Sequence, residues 1–291
     1  MRSVPVAAAD YVVPVLAGPT RSAVVSAVFS EAIVVSGVGP GADTLVLTGP
    51  RAIATPLGVR SLESLPMTPI GSPARVGGGE LVVAGTTFLL GRTWSSRVPA
   101  IDPSEDRLAE LAERARPAPI GLDRDCLQEL AAALWADRHP GLVLAVQNLV
   151  GLGAGSTPAG DDVLAGLMVA LYTRRRTELA VRVAEAIDVT RTSPYSAALL
   201  AAAGAGHAAL EALAALRWLH GPTPADLCTI NVSGPEVHSS PSGPQMITDP
   251  HPVDRLLGVG HTSGADLTAG LLLGLGLDRA QVDPARIEAT V

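Results

Sequence analysis

The stretch DPSEDRLAELAERA, residues 102–115, divides the chain into two kinds of sequence. Asp102 is of a type that caps helix N-termini, Pro103 suits the first helical position, and Glu105 stands where a capping box places its acid. Leu108, Leu111, Ala112 and Ala115 then recur at the spacing of one helix face. Further on, the same periodicity predicts helices at about 123–138, 141–150, 161–187, 194–219 and 265–276. Before Asp102 the texture is different. Short apolar runs separated by Gly and Pro predict strands at 23–35, 44–48, 53–59, 80–84 and 86–90. Gly77, Gly78 and Gly79 suit a tight connection rather than a phosphate loop, because no helix signal follows them. The fold class read from this pattern is α+β, with a β-rich N-terminal domain at 1–101 and an α-helical C-terminal domain at 102–291.

Composition narrows the chemistry. The 291 residues suffice for about two domains with real cores. All 21 basic residues are arginine, so a P-loop lysine, a pyridoxal phosphate lysine and a Schiff-base lysine are all excluded. A formal net charge of -7 argues against a nucleic-acid partner, which needs a basic face. Cys126 and Cys228 show neither zinc nor redox spacing and read as buried or incidental thiols. The apolar N-terminal stretch is broken by Pro5, Asp10 and Pro14, and no uninterrupted apolar run reaches 18 residues, so the sequence predicts a cytoplasmic protein with no membrane span. The segment 221–252 has neither helical nor strand periodicity and reads as a surface insertion rather than a lid.

The most informative segment is GLGAGSTPAGDD, residues 151–162, which runs into the apolar stretch from Val163 to Leu171. Gly151, Gly153 and Gly155 permit backbone conformations closed to other residues, Thr157 can cap, and Pro158 suits a first helical turn. A glycine-rich loop feeding a helix N-terminus offers N–H groups and a positive dipole end to an anion without any lysine. GVGHTSGAD, residues 258–266, repeats this pattern. Aligning Asp162 with Asp266 places Gly160 on Gly264, Ala165 on Ala269, Gly166 on Gly270 and Leu167 on Leu271, with three fewer residues between the Gly-x-Gly and the Asp. Small residues on one face of each helix would let the two approach closely, bringing both loops to one pocket.

The candidate roles follow from residue chemistry. His261, Asp162 and Asp266 are the candidate catalytic groups, His261 as an acid, base or oxyanion donor beside hydroxyls. Gly153, Gly155, Thr157, Gly160, Arg191, Thr262, Ser263 and Gly264 are candidates for holding a small anion, with Arg191 supplying a fixed cation among cap-type hydroxyls. Asp161, Asp162 and Asp266 together offer a magnesium site for a phosphorylated substrate. Arg174, Arg175 and Arg176 read as a solvated helix end, and His139, His207, His220, His238 and His251 receive no role. No activated nucleophile stands out, which favours direct transfer between bound substrates.

These motifs, with Thr190-Arg191-Thr192-Ser193 ahead of an alanine-rich helix, resemble the family of the AllH-type subunit of oxamate carbamoyltransferase over about 140–275. The chain departs from that family's pattern at Ala154, where proline is usual, at Ser156, where an apolar residue is usual, and at Ala159, where serine is common. The resemblance implies a role in anaerobic allantoin and purine breakdown. There oxalurate and phosphate interconvert with oxamate and carbamoyl phosphate on a complex that needs two other subunits. It also implies carbamoyl phosphate, oxamate or phosphate as the small anionic ligand. Two other readings stay open: a non-catalytic small-anion-binding or scaffolding subunit, and a magnesium-dependent enzyme acting on a phosphorylated small molecule.

Overall fold

The computed structural model describes residues 2–39, 43–136, 139–221 and 250–280. Cys228 and nearly all of the predicted 221–252 insertion lie outside the described residues. Cys126 is a half-buried free thiol.

Eight strands fill the first 94 residues: β1 (Arg2–Ala9), β2 (Arg21–Phe29), β3 (Ala32–Ser36), β4 (Thr44–Thr48), β5 (Gly58–Ser61), β6 (Pro73–Gly77), β7 (Glu80–Val83) and β8 (Thr86–Trp94). They close into a barrel in the order β1-β5-β4-β3-β2-β6-β7-β8, which leaves no unpaired sheet edge. The β1/β8 and β4/β5 pairs are parallel and the others antiparallel. Inward residues such as Val6, Val25, Ile33, Leu45, Val59, Leu81 and Phe88 share one hydrophobic cluster with Leu16 of the short helix α1 (Val13–Ala17).

Three details differ from the periodicity reading. The strand β1 forms despite Pro5 because β5 pairs only with Val6, Ala7 and Ala8, so the missing N–H interrupts no bond on that side. The run 23–35 breaks into two strands around Ser30 and Glu31, and the run 53–59 becomes strand only at Gly58. The β6–β7 turn does use its glycines at positive φ, with Gly77 at 123°, Gly78 at 65° and Gly79 at 84°.

The helices follow: α2 (Glu105–Ala115), α3 (Arg124–Trp135), α4 (His139–Leu149), α5 (Ala159–Thr173), α6 (Thr177–Glu185), α7 (Pro194–Gly204), α8 (Leu210–His220), α9 (Pro252–Leu257) and α10 (Ser263–Ala280). The start of α2 corrects the capping-box reading, because its N-cap residue is Ser104 and makes no side-chain cap bond. Asp102 instead pairs with Arg175 at 3.2 Å and Arg174 at 3.6 Å, so these arginines do more than solvate a helix end. The predicted 161–187 helix is split at Arg175, which takes a positive φ of 59°. The predicted 194–219 helix is split at Gly206, φ 79°, which packs against the Tyr172 ring. Among the described residues no helix is long and apolar enough to cross a membrane.

Among the described residues the Leu210 N–H donates to the Ala54 carbonyl at 3.0 Å, and two further joins hold barrel and helices together. All five β4 positions are buried because Tyr195, Ala198, Leu199 and Ala202 on α7 pack against the barrel cluster. At the other join, the Ser96 hydroxyl donates to Asp10 Oδ1 at 2.6 Å and lies 2.8 Å from His207 Nδ1. The Ser96 amide also donates to Asp10 at 2.9 Å, and the Ala208 amide to the Ser96 carbonyl at 2.8 Å. Burial holds His207 below the usual histidine range, while Asp10 offsets part of that shift. Burial works to raise Asp10, but its bonds from Ser96 and Ser95 outweigh that and lower it.

The helical core centres on α5 and α10, which meet backbone to backbone. A Cβ on Gly166 would overlap the Leu267 carbonyl oxygen and lie 3.1 Å from the Leu271 nitrogen. A Cβ on Gly270 would overlap the Val163 carbonyl oxygen and lie 2.7 Å from the Leu167 nitrogen. Residues 166 and 270, 163 and 267, and 167 and 271 are equivalents in the sequence repeat, so the contact is reciprocal, as in a two-fold interface. One turn on, a Cβ on Gly274 would lie 2.5 Å from that of Ala170, again its equivalent. Gly166→Ala and Gly270→Ala should therefore each cost about 2 kcal/mol or more, since overpacking a tight core typically costs 1–3 kcal/mol. Gly276→Ala, where a Cβ meets nothing within 4 Å among the described residues, should be neutral or stabilising by up to about 1 kcal/mol. Urea denaturation of the three variants checks this ordering.

Candidate functional site

The repeat extends beyond the helices into the loops that precede them. Leu152 N–H donates to the Leu149 carbonyl at 2.9 Å, and its equivalent Val259 to the Leu256 carbonyl at 3.1 Å. Gly160 N–H donates to the Leu152 carbonyl at 2.9 Å, and Gly264 N–H to the Val259 carbonyl at 3.0 Å. Gly160 and Gly264 each sit so close to the last turn of the preceding helix that a Cβ would overlap a carbonyl oxygen, that of Leu149 or Leu256. The α4–α5 and α9–α10 pairs are thus two copies of one helix–loop–helix unit. These two glycines serve its packing, and their N–H groups are engaged inside the loops.

The crossing of α5 and α10 brings the two helix N-termini together. Thr157 Oγ1 and Ser263 Oγ lie 3.1 Å apart across the junction. Thr157 does not cap; the N-cap residue of α5 is Pro158, with no side-chain cap bond. Asp162 lies against both hydroxyls. Burial pushes its carboxyl up, the Ser263 and Thr157 hydroxyls pull it back, and the nearby Asp266 and Asp161 carboxylates raise it again, to about 7. Tyr195, on α7, is pushed up to about 12 by burial and then by the Asp162 charge.

Asp266 is fully buried. Its Oδ1 accepts the Gly121 N–H at 2.8 Å, from the turn between α2 and α3. Burial raises its pKa, opposed by the Gly121 N–H and the Thr262 hydroxyl. Only glycine fits at residue 121, since a Cβ would lie 2.8 Å from that of Ala159 and 3.2 Å from both Asp266 Oδ2 and Thr262 Oγ1. Among the described residues, Oδ2 of Asp162 and Oδ2 of Asp266 are both buried without a hydrogen-bond partner. Such orphaned acceptors are costly and call for an explanation.

Asp161 behaves differently from its neighbour. Its Oδ1 accepts the Gly151 N–H at 2.8 Å, and its Oδ2 accepts the Ser196 hydroxyl at 2.6 Å and the Thr192 hydroxyl. This buried carboxylate ties the first glycine loop to the start of α7. Both its oxygens are used, so Asp161, Asp162 and Asp266 do not assemble as one ligand set. Among the described residues no group of three metal-ligating His, Cys, Asp or Glu side chains forms.

The remaining candidates are dispersed around the junction. Gly153 and Gly155 are exposed at positive φ, 112° and 105°, and Gly153 packs on Ala159. His261 is exposed on the second loop. Arg191 is exposed and its Nη1 donates to the Gln147 carbonyl in the last turn of α4, so that cation complements a helix C-terminus. Sequence reasoning did not find Gly121, Tyr195 or Ser196, which come from other segments and share no motif with the repeat, and it read Thr192 as a cap-type hydroxyl beside Arg191 rather than as a partner of Asp161.

Residues 149–275 match the family model described as oxamate carbamoyltransferase subunit AllH. The resemblance read from the sequence therefore holds over the stretch that contains both loop–helix copies. No curated protein and no solved structure matches the chain.

The contrast between the adjacent aspartates is testable. Asp161→Ala strands three donors and should lower stability by roughly 3 kcal/mol, about 1 kcal/mol or more for each lost bond, as read by denaturant unfolding. Asp162 ionises near 3.8 in the unfolded chain and near 7 in the folded one. Between those values the folded state keeps a proton that the unfolded state has lost, so stability falls as pH rises toward 7. Asp162→Asn, which does not titrate, should flatten that decline and exceed the native chain at pH 8 by about 4 kcal/mol, the worth of a shift of this size at 1.36 kcal/mol per pKa unit. Melting temperatures of both proteins at pH 5 and pH 8 provide the measurement.

Proposed function

We propose that this chain is the AllH-type subunit of an oxamate carbamoyltransferase complex acting in the cytoplasm, where oxalurate and phosphate interconvert with oxamate and carbamoyl phosphate. The observation that carries this reading is the family match over 149–275, whose span takes in both copies of the motif that meets at the α5–α10 junction. The ligand site is that junction, with Asp162, Thr157, Ser263 and Asp266 at its centre and His261 and the first glycine loop at its rim. Among the described residues no histidine hydrogen-bonds a hydroxyl or thiol at the junction, which favours direct transfer between substrates held side by side. In that scheme Thr157 and Ser263 supply hydroxyl donors to the developing oxyanion. Asp162, poised near neutrality, holds or gives up a proton during transfer. The N-terminal part, 1–101, which carries the barrel, and the C-terminal part, 102–291, which carries the junction, serve as separate domains, one for contact with partner subunits and one for the ligand.

A second reading, a ligand-binding subunit whose partners do the chemistry, is favoured by one observation. The loop amides of Gly160 and Gly264 and the Arg191 guanidinium are all engaged within the chain, which leaves fewer groups for stabilising a transition state. Reconstitution with the two other subunits separates the two. The isolated chain should show little carbamoyl transfer and the complex full transfer. Asp162→Asn should cut the rate of the complex at least about tenfold if the junction is catalytic. An unchanged rate with intact assembly leaves only the binding role, and full turnover by the isolated chain contradicts both.

A further inference from the structure

The outer face of the barrel carries a separate group of unmet polar atoms, and these are donors. Strand β1 runs between β5 and β8, and its Ala7 pairs with Arg60 on one side and Arg92 on the other. Val6 and Ala8 belong to the barrel cluster, so Ala7 and both arginines point outward. Arg92 reaches that face because β8 is bulged: Val6 pairs with Leu90 and Ala7 with Arg92, which leaves Gly91 as the extra residue. In an unbulged strand Arg92 would point inward, and re-aiming a side chain is a recurrent use of a bulge. In the next row Ala9 pairs with Trp94, whose ring reaches on to Gly58, where a Cβ would lie 3.3 Å from Trp94 Cζ2. Arg60 and Arg92 thus flank a small residue from two strand spacings apart, about 10 Å between their backbones.

The donors of this face lack acceptors. Arg60 Nη2 donates to the Pro50 carbonyl at 2.6 Å, but its Nε is buried without a partner, as is Trp94 Nε1. Arg92 is exposed and makes no hydrogen bond or ion pair among the described residues. Nearby acids of the chain turn elsewhere, Glu63 to Arg2 and Glu211 to the Ala54 N–H at 3.4 Å. Buried donors left unmet are costly, and two guanidinium groups beside them call for an anionic acceptor. On the other side of the arginine row, Pro5 pairs with Leu89, and both are exposed. Leu62, just past the end of β5, is 83% exposed.

We propose that the β5–β1–β8 face is the docking surface for a partner subunit and receives an acidic side chain, whose carboxylate accepts from Arg60 and Arg92 while an adjoining apolar side chain packs on Pro5 and Leu89. A carboxylate matches the guanidinium fork and accepts through both oxygens. A free small anion suits this place less, because small ligands are held in concave pockets and this row lies on the outside of a barrel. Arginine and tryptophan beside exposed apolar residues are the types that dominate protein interfaces. The inference rests on reading the chain as one subunit of a complex, and it names the face and the chemistry that hold the partner.

Analytical ultracentrifugation of the full chain with the two other subunits tests it. Arg92→Glu should weaken assembly at least about tenfold with an unchanged melting temperature, since the side chain is exposed and makes no internal bond. Arg124→Glu, the same charge change on exposed α3, should leave assembly as it is. A photoreactive benzoylphenylalanine in place of Leu89 should crosslink to a partner segment that holds an Asp or Glu. Native assembly by Arg92→Glu overturns the proposal, as does a crosslinked segment without an acid. Inorganic phosphate that raises the melting temperature of the native chain but not of Arg92→Glu overturns it in favour of a free anion. Assembly that Arg92→Glu breaks, in a complex inactive in carbamoyl transfer, would sink the transferase reading and leave this one standing. Carbamoyl transfer at the native rate by an Arg92→Glu complex would do the reverse, and no assembly of the native chain overturns both.

Discussion

Everything about the candidate site depends on the absence of two Cβ atoms, at Gly166 and Gly270. Each glycine lies against the backbone of the other helix, at equivalent points of the repeat. Interiors are close-packed and do not yield by an ångström without cost, so this approach fixes how far apart the two N-termini stand. Thr157 lies 3.1 Å from Ser263 because the helices touch about two turns further along. The geometry that sets two helix ends beside each other is thus held by main-chain contact, which admits little rotamer freedom.

That proximity creates an electrostatic difficulty which the chain solves unevenly. Three carboxyls lie near two helix N-termini, and the positive ends of the dipoles offset part of their mutual repulsion. Asp161 is satisfied by an amide and two hydroxyls and acts as a structural tie. Asp266 receives one peptide N–H, and Asp162 receives hydroxyls, yet each keeps an unpartnered buried oxygen. Raised carboxyl pKa values at this junction cost stability at neutral pH, since the folded chain holds a proton that the unfolded chain releases. Adjacent residues of identical type thereby sit in opposite environments, because consecutive helix positions point about 100° apart.

The trio Asp10, Ser96 and His207 shows why residue types alone do not make a site. Aspartate, serine and histidine suggest a hydrolytic relay, but Ser96 donates to Asp10 and is itself 0% exposed. A nucleophilic serine would hand its proton to histidine and face a substrate. Here the hydroxyl bridges a barrel residue to the α7–α8 connection, next to the backbone bonds of Val98 and Ala208. The buried polar group is satisfied and joins the barrel to the helical part.

The order of strands before helices was legible from local periodicity, since the apolar pattern changes from short runs to a 3.6-residue repeat near Asp102. So was the repeat around Asp162 and Asp266, because small residues at fixed offsets mark a close helix contact whatever surrounds them. Helix ends at Arg175 and Gly206, the strand at 2–9 and the barrel's closure were not legible. They depend on partners distant in sequence: β8 and β5 for β1, the Tyr172 ring for Gly206. The sequence nominated loop amides and Arg191 for an anion, reading each helix end in isolation. Tertiary packing assigned those amides to loop carbonyls and the arginine to a helix end, and it brought Gly121 from another segment onto Asp266. Sequence spacing determines which groups share a face, but which of their hydrogen bonds are left open is decided only once all the chain's other donors and acceptors have been placed.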